Sequence, residues 1–305
     1  MAPLLPRPDN RYMEGLIIKA ISGFYYVETE NKQLFECKAR GRFKNNKQSL
    51  LVGDRVEIMP DGDKGVINAV KRRKNDLDRP PVANIDKLFI VSSSVVPSPS
   101  TLLIDRMTAL CAYKNIKPII VFNKNDLEDV TPWCNIYKNA GFKTIACSAV
   151  SGEGMEEIIS ELQGGISAFT GNSGAGKSSL LNKIFPKLAL GTGDVSEKLG
   201  RGRHTTRHTE LFPHSYNGYV ADTPGFSSLE ADKDDLTFKE NLSSLFPDFE
   251  DFAAFCRFSD CKHIGEKGCA VCSAVEEGKI EETRYKSYIT MYEELKDVKA
   301  WNIKK

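Results

Sequence analysis

Residues 171–178 constrain the fold of this chain more than any other part of its sequence. They read Gly-Asn-Ser-Gly-Ala-Gly-Lys-Ser and directly follow a short apolar run at 166–170. Glycines let such a loop wrap closely around phosphate groups, with its backbone N–H groups pointing inward at the N-terminus of the next helix. The sequence therefore predicts a strand, a phosphate-binding loop and a helix in succession, which is typical of an α/β domain.

This loop also supplies most of the residues that we expect to bind the phosphates of a nucleotide. Lys177 has the reach to contact the β- and γ-phosphates, so we count it among the catalytic residues. The hydroxyl of Ser178, at the start of the helix, is suited to bind Mg²⁺. The predicted phosphate-binding residues are Gly171, Asn172, Ser173, Gly174, Ala175, Gly176, Lys177, Ser178 and Ser179.

The base is predicted from a second motif, Asn-Lys-Asn-Asp at residues 123–126, which follows an apolar run at 119–122. The carboxylate of Asp126 can accept hydrogen bonds from N1–H and the exocyclic amine of guanine. Adenine lacks both donors in that arrangement, and an unpaired buried carboxylate would be costly. The stem of Lys124 would cover one face of the base, and Asn123 would tie this motif to the phosphate loop. We therefore predict GTP and GDP as ligands and disfavour an ATPase.

Two further segments belong to the predicted nucleotide site. The backbone of Ser148 and Ala149, at the end of another predicted strand, could meet the guanine O6. On the far side of the phosphate loop, Asp222 could hold Mg²⁺ through a water molecule, and the N–H of Gly225 could sense the γ-phosphate. With these additions, the predicted nucleotide contacts come from four separate stretches of the chain.

The segment between the phosphate loop and Asp222 carries candidates for the switch and for catalysis. Thr206 is the predicted second ligand of Mg²⁺, and Thr205 is left as the alternative. Many GTPases have a glutamine after the D-x-x-G motif that orients the attacking water. This chain has Phe226 there, which can neither donate nor accept a hydrogen bond. His204, beside the two threonines, is therefore the candidate for positioning the water or acting as the general base.

Apolar runs and helical segments alternate from residue 85 onwards. This alternation is typical of a parallel sheet with helices on both faces. The predicted strands lie at 85–91, 117–122, 144–148 and 166–170, and the predicted helices lie at 101–114, 129–140, 153–163 and 177–185. A predicted hairpin at 207–222 leads into the D-x-x-G motif.

The two ends of the chain have different patterns. Residues 12–74 contain about five short strands separated by polar turns, which predicts a small barrel of the OB type. The polar and proline-containing stretch at 71–81 is interpreted as a linker. Beyond residue 231 the chain becomes acidic and aromatic and ends in a helical pattern, whose apolar stripe we expect to dock on the neighbouring domain.

Four potential metal ligands are concentrated near the C-terminus. Cys256, Cys261, His263 and Cys269 offer three thiolates and an imidazole within fourteen residues. This soft donor set is suited to one structural Zn²⁺ with closed tetrahedral coordination. Cys272 follows closely, so a four-cysteine site that replaces His263 stays open as the alternative.

The order of these motifs resembles that of one GTPase family. In Ras-like GTPases the phosphate loop comes first and N-K-x-D comes late. Here the order is N-K-x-D, Ser-Ala, phosphate loop, switch threonine and D-x-x-G, which is the same cycle opened at another point. The chain resembles the circularly permuted GTPases, and specifically the RsgA family, over nearly its whole length. The resemblance covers the basic barrel, the permuted GTPase domain and the spacing of the Cys–His cluster, and it supports the role of His204.

This resemblance implies an OB-type RNA-binding barrel at 1–74, a circularly permuted Ras-like GTPase domain at 75–230 and a mainly helical zinc-binding domain at 231–305. It also implies that the protein binds the small ribosomal subunit and its rRNA and assists late maturation. Subunit-stimulated hydrolysis of GTP to GDP and phosphate would time its release. A regulatory GTPase whose barrel binds a protein partner is the alternative.

Charge and hydropathy are consistent with this interpretation. Residues 1–80 contain 16 Lys and Arg against 11 Asp and Glu, an excess of 5 positive charges. A basic segment suits a polyanion, and four cations near one loop would contact phosphates: Arg40, Arg42, Lys44 and Lys47. The N-terminal segment MAPLLPRPDN lacks the apolar stretch of a secretory signal, and no run approaches the length of a membrane span, so we expect a cytoplasmic protein without a membrane partner. We also expect a monomer.

Overall fold

The computed structural model describes residues 12–41, 43, 49–78, 80–186, 209–222 and 242–295. Thirteen strands and seven helices are described over these ranges. Eleven strands form one continuous sheet in the order β10-β9-β8-β11-β13-β12-β1-β2-β3-β5-β4, and the remaining two strands, β6 and β7, form a separate hairpin. Among these helices, none combines the length and the apolar character that a bilayer crossing requires.

The N-terminal region is a five-stranded barrel, as predicted. Strand β1 is long enough to pair with β2 along most of its length and with β4 through its first residues, which closes the barrel. Alternate apolar residues such as Ile17, Val27 and Ile58 point inward and are fully buried. The strands are β1 (Met13–Ile21), β2 (Phe24–Thr29), β3 (Leu34–Ala39), β4 (Arg55–Asp61) and β5 (Lys64–Val70).

The prediction of a linker at 71–81 is wrong, because this part of the chain contains a hairpin. Its strands are β6 (Asp76–Asp78) and β7 (Pro81–Ala83). Two guanidinium nitrogens of Arg73 donate to the fully buried carboxylate of Asp54, at 2.6 and 2.8 Å. The side chain of Asn75 exchanges two hydrogen bonds with the backbone of Ile85, at 2.8 and 2.9 Å. These polar side chains pair with distant partners, so the segment is a fixed connection.

The second half of the sheet forms an α/β domain. Its strands are parallel except for β12, and they lie in the order β10-β9-β8-β11-β13-β12. The central strands are buried on both faces: Leu88 and Ile90 belong to one apolar core, and Phe89 and Val91 belong to the other. The strands are β8 (Lys87–Ser93), β9 (Lys117–Asn123), β10 (Lys143–Ala146), β11 (Gly165–Thr170), β12 (Glu210–His214) and β13 (Gly218–Asp222).

Four helices follow the strands of this sheet. The first helix has the predicted bounds, because the hydroxyl of Ser100 accepts the N–H of Leu103 at its start and Asn115 adopts a left-handed conformation at its end. The helices are α1 (Thr101–Lys114), α2 (Thr131–Asn139), α3 (Met155–Glu161) and α4 (Lys177–Ile184). Helix α4 starts directly after the predicted phosphate loop.

The C-terminal region is helical, as predicted. Its helices are α5 (Pro247–Ala253), α6 (Ala270–Glu276) and α7 (Glu282–Leu295). Helix α7 packs against α1 of the α/β domain, and its Tyr288 and Leu295 are each only 1% exposed. The helix therefore docks on the neighbouring domain as expected, whereas the ring of Tyr288 contacts Phe246 and Phe249 within the C-terminal region itself. The exact domain boundaries stay a prediction.

Candidate functional site

The predicted nucleotide motifs lie at one edge of the sheet. Five parallel strands end there, in the order β10, β9, β8, β11 and β13. The carboxyl ends of parallel strands meet at the same edge, so the loops that follow them converge. This topology brings residues 123–126, 148–149 and 171–176 and the end of β13 to the same place, although they are up to about a hundred positions apart in the sequence.

The phosphate loop depends on glycine at close backbone contacts. Gly171 has φ of 139°, and an added Cβ would lie 1.9 Å from the carbonyl oxygen of Val91. Gly176 has φ of 88°, and an added Cβ would lie 2.2 Å from Nδ2 of Asn123. Any side chain at either position would collide with the neighbouring strand end. The loop is therefore held against the ends of β8 and β9.

Lys177 lies within this loop and has no carboxylate partner among the residues that the structure describes. Its Nζ donates to the carbonyl oxygens of Gly171 at 2.5 Å and Asn172 at 2.8 Å. Burial lowers the pKa of Lys177 because it disfavours the charged ammonium. A bound phosphate would supply the missing negative charge and raise that pKa again. Lys177 is thus suited to bind an anion.

Asn123 connects three of the motifs. It is only 2% exposed. Its Nδ2 donates to the carbonyl oxygen of Ala175 at 3.0 Å, and its Oδ1 accepts the N–H of Ala149 at 3.1 Å. A single amide therefore joins the N-K-x-D motif to the phosphate loop and to the Ser-Ala motif. A guanine O6 would have to share the N–H of Ala149 with Asn123.

The other two residues of the base motif are more accessible. Asp126 is exposed on the loop after β9, where its carboxylate is open to a ligand. Lys124 has a positive φ of 68°, and its Nζ donates to the carbonyl oxygen of Val96 at 2.7 Å. The hydroxyl of Ser94 donates to the carbonyl oxygen of Lys124 at 2.8 Å. The loop after β8 thus positions Lys124, a role that sequence reasoning missed.

Ser148 shapes the loop after β10 from inside. Its side chain is fully buried, and its Oγ accepts the N–H groups of Val150 at 3.2 Å and Ser151 at 3.0 Å. The amide of Asn125 donates to Glu153 of the same loop at 2.9 Å. Ser148 therefore contributes the loop conformation, and the neighbouring backbone faces the site.

The switch residues are only partly covered by the structure. The backbone of Asp222 ends β13, beside the parallel strand β11 that leads into the phosphate loop. This position agrees with a role near the phosphates. The other predicted residues lie outside the described residues: His204, Thr205, Thr206, Gly225 and Phe226.

The predicted metal ligands come together in the C-terminal region. The ligand atoms of Cys256, Cys261, His263 and Cys269 all lie within 4.8 Å of one another. Nδ1 of His263 is 3.5 Å from Sγ of Cys256 and 3.4 Å from Sγ of Cys269, and the two Sγ atoms are 3.9 Å apart. Zn–S bonds of about 2.3 Å in a tetrahedron place ligand atoms roughly 3.8 Å apart. The cluster fits a structural metal.

Cys272 lies beside this cluster and outside it. Its Sγ is 3.3 Å from the hydroxyl of Tyr285, while its backbone N–H donates to Sγ of Cys269 at 3.4 Å. The N–H of Ala270 donates to Sγ of Cys256 at the same distance. Such donors stabilise the thiolate form that binds metal. The geometry thus favours His263 over Cys272 as the fourth ligand.

The fold and the motif order define a class, the circularly permuted GTPases. Two solved structures are similar over nearly the whole chain. One is that of YjeQ from Thermotoga maritima, with a TM-score of 0.80, 37% identity and coverage of 94% of this chain and 100% of that chain. The other is that of YloQ, described as a circularly permuted GTPase, with a TM-score of 0.79, 38% identity and coverage of 96% and 99%.

The chain belongs to the RsgA GTPase family. The family model of the RsgA GTPase matches residues 70–232, and that of the RsgA N-terminal domain matches residues 14–67. Two similar proteins are named small ribosomal subunit biogenesis GTPase RsgA. The one from Geobacillus sp. (strain WCH70) is 47% identical over 94% of this chain and 98% of its own length, and the one from Caldanaerobacter subterraneus subsp. tengcongensis is 45% identical over 93% and 96%.

Proposed function

We propose that this GTPase binds the small ribosomal subunit through its rRNA, assists late maturation of that subunit, and leaves when GTP is hydrolysed. The observation that carries the nucleotide part is the pair of hydrogen bonds by which Asn123 joins three motifs into one site. The ribosomal part is supported by relatives named for biogenesis of the small subunit, which match nearly the whole chain. The excess of positive charge in residues 1–80 suits an RNA partner.

Guanine selection rests on Asp126 and Lys124. The Asp126 carboxylate is exposed at the loop after β9 and accepts the two guanine donors without moving a buried group. The carbonyl of Val96 holds the ammonium of Lys124, so its stem is fixed in place to cover one face of the base. The Asn123 bridge keeps this loop at a constant distance from the phosphate loop.

Phosphate binding and hydrolysis use the loop and the switch segments. Lys177 exchanges its two carbonyl partners for the β- and γ-phosphates, and Ser178 with Thr206 holds the Mg²⁺ that accompanies GTP. Asp222 contacts this ion through water, and the N–H of Gly225 contacts the γ-phosphate. His204 positions the attacking water in place of the glutamine that Phe226 replaces. Because Phe226 cannot orient the water, we expect turnover by the free protein to be slow and the subunit to accelerate it.

The Cys–His cluster holds one Zn²⁺ as a structural ion. Three thiolates and one imidazole close its coordination shell, so the ion stabilises the C-terminal region and takes no part in hydrolysis.

The protein acts as a monomer in the cytoplasm, where thiols stay reduced.

Measurement of GTP turnover with and without purified small subunits tests this function. We expect slow turnover by the free protein, strong stimulation by small subunits, and none by large subunits. His204→Ala should abolish the stimulation and leave GTP affinity nearly unchanged. His208→Ala, in the same segment, is the matched control and should keep the stimulation. If small subunits neither bind nor stimulate the wild-type protein, the ribosomal function is wrong, and a regulatory GTPase with a protein partner is favoured.

A further inference from the structure

A cleft separates the barrel from the GTPase sheet on the side of the β12–β13 hairpin. Its volume is about 320 Å³, at the low end of the range typical of ligand pockets. The barrel contributes Leu16 and Arg55, and the segment after it contributes Arg72 and Lys74. The GTPase domain contributes Asp86, Gly165, Ile166 and the hairpin residues Asn217 and Tyr219.

The cleft walls carry more positive than negative charge. Three cations, Arg55, Arg72 and Lys74, face one carboxylate, Asp86. Lys74 and Asp86 form an ion pair with each other, so they neutralise one another. The second oxygen of Asp86 accepts the N–H of Ile166 at 2.8 Å, which leaves this carboxylate fully engaged.

The two arginines are left with their charge uncompensated. Arg55 and Arg72 are exposed, and neither forms an ion pair with a carboxylate in the part of the chain that the structure describes. Arg55 begins β4 and lies opposite Leu16 in the barrel wall. The backbone of Lys71, next to Arg72, donates to the carbonyl oxygen of Arg55 at 2.8 Å, so the two arginines come from adjacent pieces of backbone. Both arginines line the same cleft and are exposed there, so they are available to an anion.

We propose that this cleft binds a phosphate group of the RNA backbone, held between Arg55 and Arg72. Guanidinium groups bind phosphate oxygens through two parallel hydrogen bonds, and they do so at lower desolvation cost than an ammonium. The inference rests on the proposed function, because it assigns to the rRNA partner a contact outside the loop that carries Arg40.

The position of the cleft gives this contact a consequence for the GTPase domain. Asn217 forms the turn between β12 and β13, and Tyr219 follows it in β13, which ends at Asp222. The hydroxyl of Tyr219 donates to Glu28 of the barrel at 2.5 Å. RNA bound in the cleft therefore lies against the barrel and against the hairpin that leads to the predicted D-x-x-G motif.

The test is the salt dependence of binding to purified small subunits by the double variant Arg55→Gln with Arg72→Gln. Loss of this one phosphate contact should reduce the slope of log Kd against log salt concentration by about 1. Affinity at low salt should fall at least roughly tenfold. Lys138→Gln with Lys183→Gln removes the same charge from exposed positions outside the cleft and should leave the slope within about 0.5 of the wild-type value.

The outcomes of this test distinguish an error in the RNA site from an error in the proposed function. If the cleft variant and the control variant have the same slope and affinity, the RNA site is wrong while the proposed function stands. If the wild-type protein does not bind subunits, the proposed function falls and the RNA site falls with it. A second experiment measures the binding of inorganic phosphate to the free protein by calorimetric titration. Phosphate binding that is lost in the cleft variant while subunit binding is unchanged would overturn RNA as the source of the phosphate.

Discussion

The barrel and the C-terminal region are joined to the GTPase sheet by contacts of opposite character. At the barrel, β1 pairs with β12, and the ion pair of Lys19 with Glu210 at 2.7 Å is about 30% exposed on each side. At the C-terminal region, Arg284 lies between Asp105 of α1 and Asp248, at 2.5 and 2.7 Å, and all three side chains are buried.

This difference predicts how each joint responds to change. An exposed ion pair contributes about 0–1 kcal/mol because water and salt screen it. A buried group of charges is costly to break, about 3–5 kcal/mol, because the remaining charge is left without a partner. The exposed ion pair at the barrel is therefore expected to contribute little to stability, whereas breaking the buried group of charges at α1 should be costly.

The largest effect on stability is expected from a substitution in the Cys–His cluster. Cys261→Ser should lose the metal and unfold much of residues 242–295, because metal binding in small Cys–His sites contributes on the order of 10 kcal/mol to folding. Cys272→Ser is the matched control and should keep one metal per chain. Elemental analysis together with hydrogen exchange checks both, and exchange in the barrel should be unchanged. Loss of metal from the Cys272 variant would support the four-cysteine site instead.

The next largest effect is expected at the buried arginine. Arg284→Met should lower the free energy of unfolding of the C-terminal region by about 3–5 kcal/mol, because Asp105 and Asp248 would stay buried without their cation. Arg106→Met is the control, since its ion pair with Glu294 is substantially exposed and should cost less than about 1 kcal/mol. Urea unfolding measures both changes. Equal losses would show that burial does not distinguish the two pairs.

A smaller and pH-dependent effect is expected at Asp105. Burial raises the pKa of Asp105 to about 6, and the charge of Arg284 only partly offsets this. The pKa of this carboxyl in the unfolded chain is about 3.9, so the folded protein keeps the proton to higher pH than the unfolded chain does. The contribution of Asp105 to the free energy of unfolding therefore falls as pH rises from about 4 to 6. Asp105→Asn should remove that fall. Urea midpoints of both proteins between pH 4 and pH 8 test this, and parallel curves would contradict it.

The smallest effect is expected at the barrel joint. Lys19→Ala, Glu210→Ala and the double variant form a double-mutant cycle, and the coupling free energy should be below about 1 kcal/mol because both side chains reach water. Urea unfolding of the four proteins measures it. A coupling free energy as large as the loss of unfolding free energy in Arg284→Met would show that the two contacts do not differ in strength.

The sequence predicted local features better than the joints. Strand ends, the phosphate loop and the bounds of α1 follow from periodicity and capping within a few residues, so they could be predicted. Arg73 and Asp54 are 19 positions apart, and nothing local indicates their pairing. The same holds for Arg284 and Asp105, which are 179 positions apart.

The candidate site shows the same division. The link of Asn123 to the phosphate loop was predicted from its motif and is confirmed by its hydrogen bond to Ala175. Its second hydrogen bond, with the N–H of Ala149, was not predicted. The contribution of Val96 was missed because it acts through a backbone carbonyl, which every residue has. The choice between His263 and Cys272 depends on distances of a few ångströms that spacing alone does not determine.

Loops from distant parts of the chain lie together at one edge of the sheet, and we propose that Asp126 selects guanine there. The direct test is competitive binding of GTP and XTP to the wild-type protein and to Asp126→Asn, with Glu128→Gln as the control in the same loop. We predict that Asp126→Asn weakens GTP roughly a hundredfold and gains affinity for XTP, since the amide complements the 2-oxo group of xanthine. The control should bind GTP as the wild type does. Unchanged GTP affinity in Asp126→Asn would show that Asp126 does not select the base.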